Sequence, residues 1–231
     1  MDGNVRVVTP KRKREAYFYT RNGTNDAALV LGLLQGDEYR LKQLPTLEGT
    51  AVDIGAHIGA VTIALALDHP DLRVIAVEAV PESCEVLRAN VTANDLEDRV
   101  VVIQAAAAAP GRKRVSMRWG YENVGNEPEG YVHDSRYIAN MYGEGGDKHT
   151  VDAIDLDTIM DGLARLALLK IDCEGCEWAF LTSPRVKDID LVIGEFHNGA
   201  GLDGLRAALP VHDITQTGGS DDIGLFRAVR S

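Results

Sequence analysis

Two glycines at a strand-to-helix junction are the first residues here whose spacing suggests chemistry. The segment 52–59 is V-D-I-G-A-H-I-G, in which a strand, a glycine turn and a helix start follow one another. Glycine tolerates positive φ and has no β-carbon, so the backbone of such a turn can approach a ligand closely. Because the spacing is G-x-x-x-G and not G-x-G-x-x-G, we expect a ligand other than a dinucleotide phosphate.

Two acids accompany this turn. Asp53 ends the first strand and suits an amino group or another cation, whereas Glu78 ends the next strand, nineteen residues after Gly59. Doubly wound folds place an acid at that second position to bind ribose hydroxyls. An adenosine joined to an amino acid fits both acids, and S-adenosylmethionine is such a ligand. We expect its adenine near Ala79 and Gln104.

A second group of polar residues follows two later strands. Asp172 and Glu174 come after one strand, and Glu195 and His197 after the next. A sulfonium methyl is already activated, so an enzyme mainly aligns the reactants and removes a proton from an alcohol. We expect His197 to be the base, because an unperturbed pKa near 6.5 leaves it largely neutral at pH 7. Asp172 is the alternative.

The other two acids have less definite roles. Glu174 and Glu195 are expected to bind substrate, to hold His197 in one tautomer, or to cap a helix. Carboxylates clustered with a histidine also suit Mg²⁺, an alternative that we do not favour, so no metal ligand is assigned. The predicted catalytic residues are His197, Asp172 and Glu174. The predicted cofactor residues are Asp53, Gly55, Ala56, His57, Gly59, Glu78, Ala79, Gln104 and Asp172.

Seven short β-rich segments separated by helical stretches predict the sheet that must position these residues. They are 50–54, 72–78, 99–106, 166–172, 190–195, 211–217 and 223–229. The apolar character of several predicts strands covered on both faces, with the first three central. Only residues 218–222 separate the last two, which must therefore form an antiparallel hairpin. An α/β, Rossmann-like, seven-stranded class I methyltransferase fold is built in this way, with a mostly parallel sheet and helices on both faces.

The domain organisation follows from this pattern. We expect residues 1–48 to form a strand and helix that pack on a methyltransferase domain at 49–231, in which 81–94 and 152–163 are helices. Residues 111–150 lack a clear period and are expected to form a substrate loop or lid. Its candidate substrate contacts are Trp119, Tyr121, His133, Tyr137 and Tyr142.

Composition limits the partners. The 231 residues carry a formal charge of −11, which disfavours nucleic acid as the main partner. No apolar run reaches the ~20 residues of a membrane span, and no secretory signal is visible. The three cysteines make a disulfide framework improbable and favour a reducing cytoplasm. We therefore expect a small-molecule substrate in a cytoplasmic protein; the sequence does not predict the oligomeric state.

A longer motif links these features to a known family. The segment 170–177, K-I-D-C-E-G-C-E, resembles the K-I-D-x-E-G-x-E of the FkbM family of S-adenosylmethionine-dependent methyltransferases. Segments 21–26 (R-N-G-T-N-D), 151–157 (ending in L-D) and 195–197 (E-F-H) are similar to further elements of that family. His57 departs from it, since the family usually has Asn there, and we expect only the backbone of His57 to contact the ligand.

The resemblance implies methyl transfer to a hydroxyl, commonly of a sugar or another secondary metabolite. N- and carboxyl-methylation are alternatives within the family. A nicotinamide-dependent oxidoreductase and a noncatalytic binding module are alternatives from other classes.

Cys173 and Cys176 form a C-x-x-C that suggests redox or zinc chemistry. In the family these two positions vary, so packing against the next helix is the preferred interpretation.

Overall fold

The computed structural model of the chain describes residues 3–122, 136–140, 147–197 and 201–231. Its elements, in chain order, are β1 (Gly3–Val8), β2 (Glu15–Thr20), α1 (Asp26–Gln35), β3 (Gly49–Ile54), α2 (Ala60–Asp68), β4 (Leu72–Glu78), α3 (Pro81–Ala93), β5 (Val100–Gln104), β6 (Ala106–Ala107), β7 (Arg114–Glu122), β8 (Arg136–Asn140), β9 (Asp147–Ile154), α4 (Leu156–Ile159), β10 (Leu168–Ile171), α5 (Glu177–Phe180), β11 (Leu191–His197), α6 (Gly201–Ala208), β12 (His212–Gly219) and β13 (Ile223–Arg230). Short 3₁₀ helices cover Leu41–Gln43 and Pro184–Asp188.

The main sheet has seven strands in the order β12-β13-β11-β10-β3-β4-β5. Strands β11, β10, β3, β4 and β5 are parallel to one another, whereas β13 runs antiparallel to both β11 and β12. The predicted fold, including the reversed last strand, is therefore confirmed. The carboxyl ends of β3, β4, β10 and β11 lie at one edge, which is where open α/β sheets bind ligands.

Apolar side chains pack on both faces of this sheet. Helices α1, α2 and α3 cover one face, with Val30, Ile63 and Leu87 in the same apolar cluster. Helices α4, α5 and α6 cover the other face, where Phe180 and Leu205 belong to a second cluster. Because successive side chains of a strand point to opposite faces, each central strand contributes to both clusters.

One edge of the sheet differs from the prediction. The third predicted strand, at 99–106, corresponds to β5, which is an edge strand and not a central one. Its apolar run V-V-V-I resembles a strand buried on both faces, yet Val101 is 59% exposed. Apolar composition alone therefore did not distinguish an edge strand from a central one here.

The segment predicted to be irregular contains regular strands in its described part. Strand β7 pairs with β8 and β9, and these form a second sheet in the order β6-β9-β7-β8. The helix predicted at 152–163 is also largely wrong: β9 extends to Ile154, and only Leu156–Ile159 is helical. Burial alternates along β9 with the two-residue period of a strand. A lid function for this region stays a prediction.

The N-terminal part adds a two-stranded antiparallel sheet, β1-β2, followed by α1. Helix α3 anchors this sheet through side-chain amides, since Asn90 and Asn94 accept hydrogen bonds from the backbone N–H groups of Tyr19 and Tyr17. The predicted strand and helix are both present. The division into residues 1–48 and 49–231 stays a prediction. In the part of the chain that the structure describes, no helix is long and apolar enough to cross a membrane.

Candidate active site

A cavity of about 290 Å³ opens at the carboxyl ends of the central strands. One end is lined by Gly55, Ala56, Glu78 and Ala79, which we call the cofactor half. The other end is lined by the carboxylates Asp172, Glu174 and Glu195, which we call the acceptor half. The two halves meet because β3 and β10 are neighbours in register, with Ile54 beside Ile171. The sheet therefore brings members of both groups of sequence-predicted residues to one cavity.

The glycine turn is fixed by close backbone packing. Gly55 has a φ of +73°, and a Cβ atom built there would lie 1.8 Å from the carbonyl oxygen of Asp172. Gly59, which precedes α2, has a φ of +94°, and a Cβ there would lie 2.4 Å from Leu87 Cδ1. Glycine is needed at both positions for its conformation and for its lack of a side chain.

Glu78 is buried and hydrogen-bonded to the backbone of the same region. Its carboxylate accepts hydrogen bonds of 2.9 Å from the N–H groups of His57 and Val80. Burial raises the pKa of Glu78, and these two hydrogen bonds oppose that rise. Glu78 thus fixes the glycine turn at the place where the sequence predicts ribose hydroxyls to bind.

Asp53 does not lie where the sequence predicted. Its side chain is fully buried and does not line the cavity; one oxygen accepts from Thr62 Oγ1 at 2.6 Å and the other lies 3.2 Å from Lys170 Nζ. Lys170, which does line the cavity, also donates to the carbonyl oxygens of Ile54 and Gly55. Burial lowers the pKa of Lys170, but the charges of Asp53 and Asp172 outweigh it, so the pKa is raised.

Sequence reasoning missed this role of Lys170. The available signal was a lysine inside the apolar strand L-L-K-I, since a buried charge requires partners. Tyr39 was also missed: its hydroxyl donates a hydrogen bond of 2.6 Å to Asp172 Oδ2. It comes from the chain after α1, far from Asp172 in sequence, so no local pattern indicates the contact.

His57 lines the cavity, and its side chain contacts Arg21 and Asp26. Its Nε2 lies 3.0 Å from Arg21 and 3.3 Å from Asp26 Oδ1, while Arg21 and Asp26 form an ion pair of 2.8 Å. Burial lowers the pKa of His57 to about 4, with Asp26 and Arg21 acting in opposite directions. The segment 21–26, R-N-G-T-N-D, which resembles an element of the family, therefore contacts the glycine turn through the side chain of His57.

The loop after β10 is organised around one buried carboxylate. Glu177 Oε1 accepts from the backbone N–H of Cys173 at 2.9 Å, and Oε2 accepts from that of Gly175 at 3.0 Å. Oε1 also lies 3.1 Å from His197 Nδ1. Glu174, between the two bonded residues, has a φ of +54°, a conformation that L-residues rarely adopt. The motif D-x-E-G-x-E thus holds the loop and His197 together.

The acids of the acceptor half raise one another's pKa values. Burial and the charge of Asp172 raise the pKa of Glu195 to about 7, and they also raise the pKa of Glu174. Glu38 also lines the cavity, and its pKa is raised by the same two causes. This end of the cavity therefore concentrates negative charge.

His197 differs from its predicted state. Burial lowers its pKa, but the hydrogen bond and charge of Glu177, together with Glu174 and Asp172, outweigh this and raise the pKa to about 9. A raised pKa favours the protonated imidazole, the opposite of the state that the sequence-based choice of His197 as the base assumes. His197 is also not one of the described residues that line the cavity. It lies behind Glu174 and Glu195.

Cys173 and Cys176 form a disulfide, with Cα atoms 5.5 Å apart. The sequence made a disulfide framework improbable, and it did not predict this single bond. The preferred packing interpretation holds in part, because Cys176 is buried in the apolar cluster with α5. Two cysteines three positions apart in a C-x-x-C can bond whenever a turn brings their side chains together. The number of cysteines in the chain does not indicate this.

The remaining predicted contacts have mixed outcomes. Ala79 lines the cavity, whereas Gln104 pairs in register with Glu78 but is exposed and not part of the lining. Trp119 is buried and stacks on His149 at 3.6 Å, beside Met117, which does reach the cavity. Tyr121 and Tyr137 pair opposite each other in β7 and β8. Their side chains, like residues His133 and Tyr142, lie outside the described residues.

Comparison with known proteins identifies the family. A family model described as the methyltransferase FkbM domain matches residues 53–214, more than half of the chain. This chain belongs to the FkbM methyltransferase family. The match includes the glycine turn, Glu78, the 170–177 motif and His197. It is thus an S-adenosylmethionine-dependent methyltransferase of class I fold, and S-adenosylmethionine is its cofactor. Among curated proteins, none matches the sequence.

Solved structures share the fold of this FkbM chain at low identity. The Thermus thermophilus 16S rRNA N2 G1207 methyltransferase, in complex with AdoMet and guanosine, is 13% identical with a TM-score of 0.52, covering 99% of this chain and 51% of that one. The Mycoplasma capricolum TrmK bound to S-adenosylhomocysteine is 10% identical with a TM-score of 0.50, covering 85% and 67%. The Geobacter metallireducens precorrin-6y C5,15-methyltransferase is 13% identical with a TM-score of 0.49, covering 93% and 94%.

Proposed function

We propose that this enzyme transfers the methyl group of S-adenosylmethionine to a hydroxyl of a small molecule, such as a sugar-containing intermediate of secondary metabolism. The observation that carries the proposal is the continuity of one cavity from the cofactor half to the acceptor half. A cofactor with its ribose at Glu78 would direct its sulfonium toward Asp172, which follows the neighbouring strand. A hydroxyl acceptor would then find a carboxylate beside the methyl group.

Asp172 is the residue to which we assign the proton. Its carboxylate lines the cavity, and one oxygen is oriented by the Tyr39 hydroxyl while Lys170 lies 4.0 Å away. A base must lie within hydrogen-bond reach of the proton that it removes. His197, the first choice from sequence, does not line the cavity and is assigned a positioning role behind Glu174 and Glu195. The two glutamates are assigned to acceptor binding.

The test is a pair of measurements on Asp172→Asn. We expect turnover to fall by at least ~10²-fold, the usual scale for an acid or base group, while S-adenosylhomocysteine affinity by calorimetry stays within about threefold. Asp203→Asn removes an exposed carboxylate and serves as the matched control. Unchanged turnover in Asp172→Asn would remove this residue from the mechanism. Absence of S-adenosylhomocysteine binding at ~1 mM to the wild type would refute the cofactor site.

N-methylation is a second candidate because of the charge at the acceptor half. Besides Glu78 in the cofactor half, four carboxylates line the cavity, at Glu38, Asp172, Glu174 and Glu195. They would attract an amine and repel a carboxylate, so carboxyl-methylation is disfavoured. Mass spectrometry for a +14 Da product, followed by fragmentation, distinguishes an O-methyl from an N-methyl product.

An RNA acceptor is the outcome that this proposal excludes. The net charge of −11 opposes binding to a polyanion. One protein of similar fold nevertheless acts on 16S rRNA, so the acceptor screen should contain RNA. Methylation of RNA in preference to every small molecule would contradict the proposal, as would an acceptor that lacks both hydroxyl and amine.

A further inference from the structure

The Cys173–Cys176 disulfide lies in the wall of the cavity. Both cysteines line it, next to Asp172 and Glu174. Cys173 is half-buried, whereas Cys176 is 1% exposed and packs in the apolar cluster with α5. A disulfide inside an apolar core is out of reach of other thiols, but one in a cavity wall is accessible to a small thiol. The proposed methyl transfer makes no use of this bond.

The disulfide spans two residues with left-handed backbone conformations. Glu174 has a φ of +54° and Gly175 a φ of +106°. Glycine adopts such angles readily, whereas glutamate rarely does. The bond between Cys173 and Cys176 closes a ring around these two residues. The cross-link therefore helps to hold Glu174 in a conformation that its own residue type disfavours.

The same loop is bonded to the buried carboxylate of Glu177. The N–H groups of Cys173 and Gly175 donate hydrogen bonds of 2.9 Å and 3.0 Å to it, and His197 Nδ1 lies 3.1 Å from it. Glu174 Oε2 in turn lies 3.5 Å from His197 Nε2. The disulfide, the bonds to Glu177 and the position of Glu174 thus form one connected unit, so a change in the disulfide should reach the acceptor half.

We propose that Cys173 and Cys176 form a redox site whose disulfide is reduced by a dithiol in the folded protein, and that reduction releases Glu174 and the loop around it. A thiolate of the dithiol attacks Cys173, the more exposed residue, and the S–S bond breaks as Cys176 leaves as a thiolate. The second thiol of the dithiol then displaces Cys173 from the mixed disulfide. The dithiol ends as a cyclic disulfide, and its two electrons and two protons pass to the two cysteines.

The cofactor half should not take part in this change. The N–H of Asp172 donates to the carbonyl oxygen of Ile54, Lys170 donates to those of Ile54 and Gly55, and Tyr39 bonds to the carboxylate of Asp172. These contacts involve residues that precede the disulfide in the chain. Reduction is therefore expected to act on the acceptor half. Control of acceptor binding rests on the proposed function, whereas the redox site itself does not.

Reduction of the native, full-length protein is the first test. The protein is equilibrated with mixtures of reduced and oxidised dithiothreitol, then denatured and labelled with N-ethylmaleimide for mass spectrometry. We expect one label, at Cys84, in the oxidised form and three in the reduced form. The change should follow a single two-electron transition while circular dichroism stays native. Reduction that occurs only after unfolding in urea would overturn the proposal.

Hydrogen exchange measured by mass spectrometry reports on the loop without any acceptor. Peptides that cover 170–180 should exchange at least ~10-fold faster after reduction, because the N–H groups of Cys173 and Gly175 lose their fixed partner. Peptides that cover 52–60 should not change. The double variant Cys173→Ser, Cys176→Ser should resemble the reduced protein with or without dithiothreitol, and Cys84→Ser, the matched control, should respond like the wild type. Equal exchange in the oxidised and reduced wild type would overturn release of the loop.

The acceptor screen, run on both forms of the wild type, tests control of methyl transfer. We expect at least ~10-fold less product from the reduced form, because misplaced groups slow the transfer, and S-adenosylhomocysteine affinity within about threefold. Equal product from both forms would overturn control by reduction. Loop release without product from either form would support the redox site and count against the proposed function, so the two failures are distinguishable.

Discussion

The two halves of the cavity differ in the groups that stabilise their buried carboxylates. In the cofactor half, Glu78 is satisfied by two backbone N–H groups, and Asp53 behind it is paired with Lys170. In the acceptor half, Glu174 and Glu195 face one another's negative charge, and one buried histidine lies 3.5 Å from each. Backbone N–H groups and a lysine therefore face the acids of the first half, whereas a single histidine faces two glutamates in the second.

This difference indicates which half is preorganised and which depends on a ligand. A polar group that is already bonded keeps its geometry whether or not a ligand is present. Acids that raise one another's pKa values gain most from a cationic ligand, so the acceptor half should respond more strongly to its ligand. The two histidines follow the same division: the pKa of His57 is lowered to about 4 by burial, whereas carboxylates raise that of His197 to about 9 despite burial.

The largest expected effect comes from Gly55→Ala, because the new methyl group would force the glycine turn away from the backbone of Asp172. The new Cβ would lie 1.8 Å from the Asp172 carbonyl oxygen, and φ is +73°. We expect a loss of at least ~3 kcal/mol of unfolding free energy and no cofactor binding. Gly162→Ala, at φ +74° with nothing within 4 Å, is the control and should cost about 1–2 kcal/mol. Equal losses in urea unfolding would show that the close contact does not matter.

The variant Glu78→Gln tests whether cofactor affinity depends on the cofactor half alone. The amide offers one acceptor oxygen and cannot keep both backbone hydrogen bonds while also binding ribose. We expect S-adenosylhomocysteine to bind ~10–100-fold more weakly, as for the loss of a charged hydrogen bond. Glu195→Gln, in the acceptor half, should change that affinity by less than about threefold. A similar loss in both variants, measured by calorimetry, would contradict the division into halves.

The Cys173–Cys176 disulfide stabilises the loop of the acceptor half. Closing a loop of four residues contributes about 2 kcal/mol in the chain-entropy description, so the double variant Cys173→Ser, Cys176→Ser should lose that amount in urea unfolding. Denatured, unreduced protein should alkylate once, at Cys84, the remaining free thiol of the three cysteines. Reduction should raise the number to three. Three reactive thiols before reduction would exclude the disulfide.

His57→Asn should have the smallest effect. It tests the cofactor half through the pH dependence of the free energy of unfolding. The folded pKa of His57, about 4, lies below the unfolded value near 6.5, so the unfolded chain binds more protons in between. The stability due to neutral His57 is therefore complete above pH 6.5 and is lost as the pH falls toward 4. At pH 5 this amounts to about 1–2 kcal/mol.

Asn tolerates the positive φ of +51° found at this position. The variant should therefore bind S-adenosylhomocysteine normally and lose less stability than the wild type between pH 6.5 and 4.5. Unfolding in urea at several pH values measures the difference. An identical pH dependence in both proteins would show that folding does not lower the pKa of His57.

Prediction from sequence succeeded where the determining contacts are local. The glycine turn, the acid at the end of β4 and the reversed last strand are each encoded within one or two neighbouring elements. The helix predicted at 152–163 failed because β9 pairs with β7, about 35 residues away, and that pairing overrides the local pattern. The central position predicted for β5 failed because apolar composition does not reveal which neighbours a strand has.

The sequence by itself determined the family, the sheet with its reversed strand, and the acids that reach its carboxyl edge, because periodicity and motif spacing are properties of the chain. Only the tertiary structure decided that Asp53 forms an ion pair with Lys170 and that Tyr39 donates a hydrogen bond to Asp172. It also decided that carboxylates surround His197. Protonation and partner choice depend on distances between segments remote in sequence. These distances exist only after the sheet has brought the strand ends together.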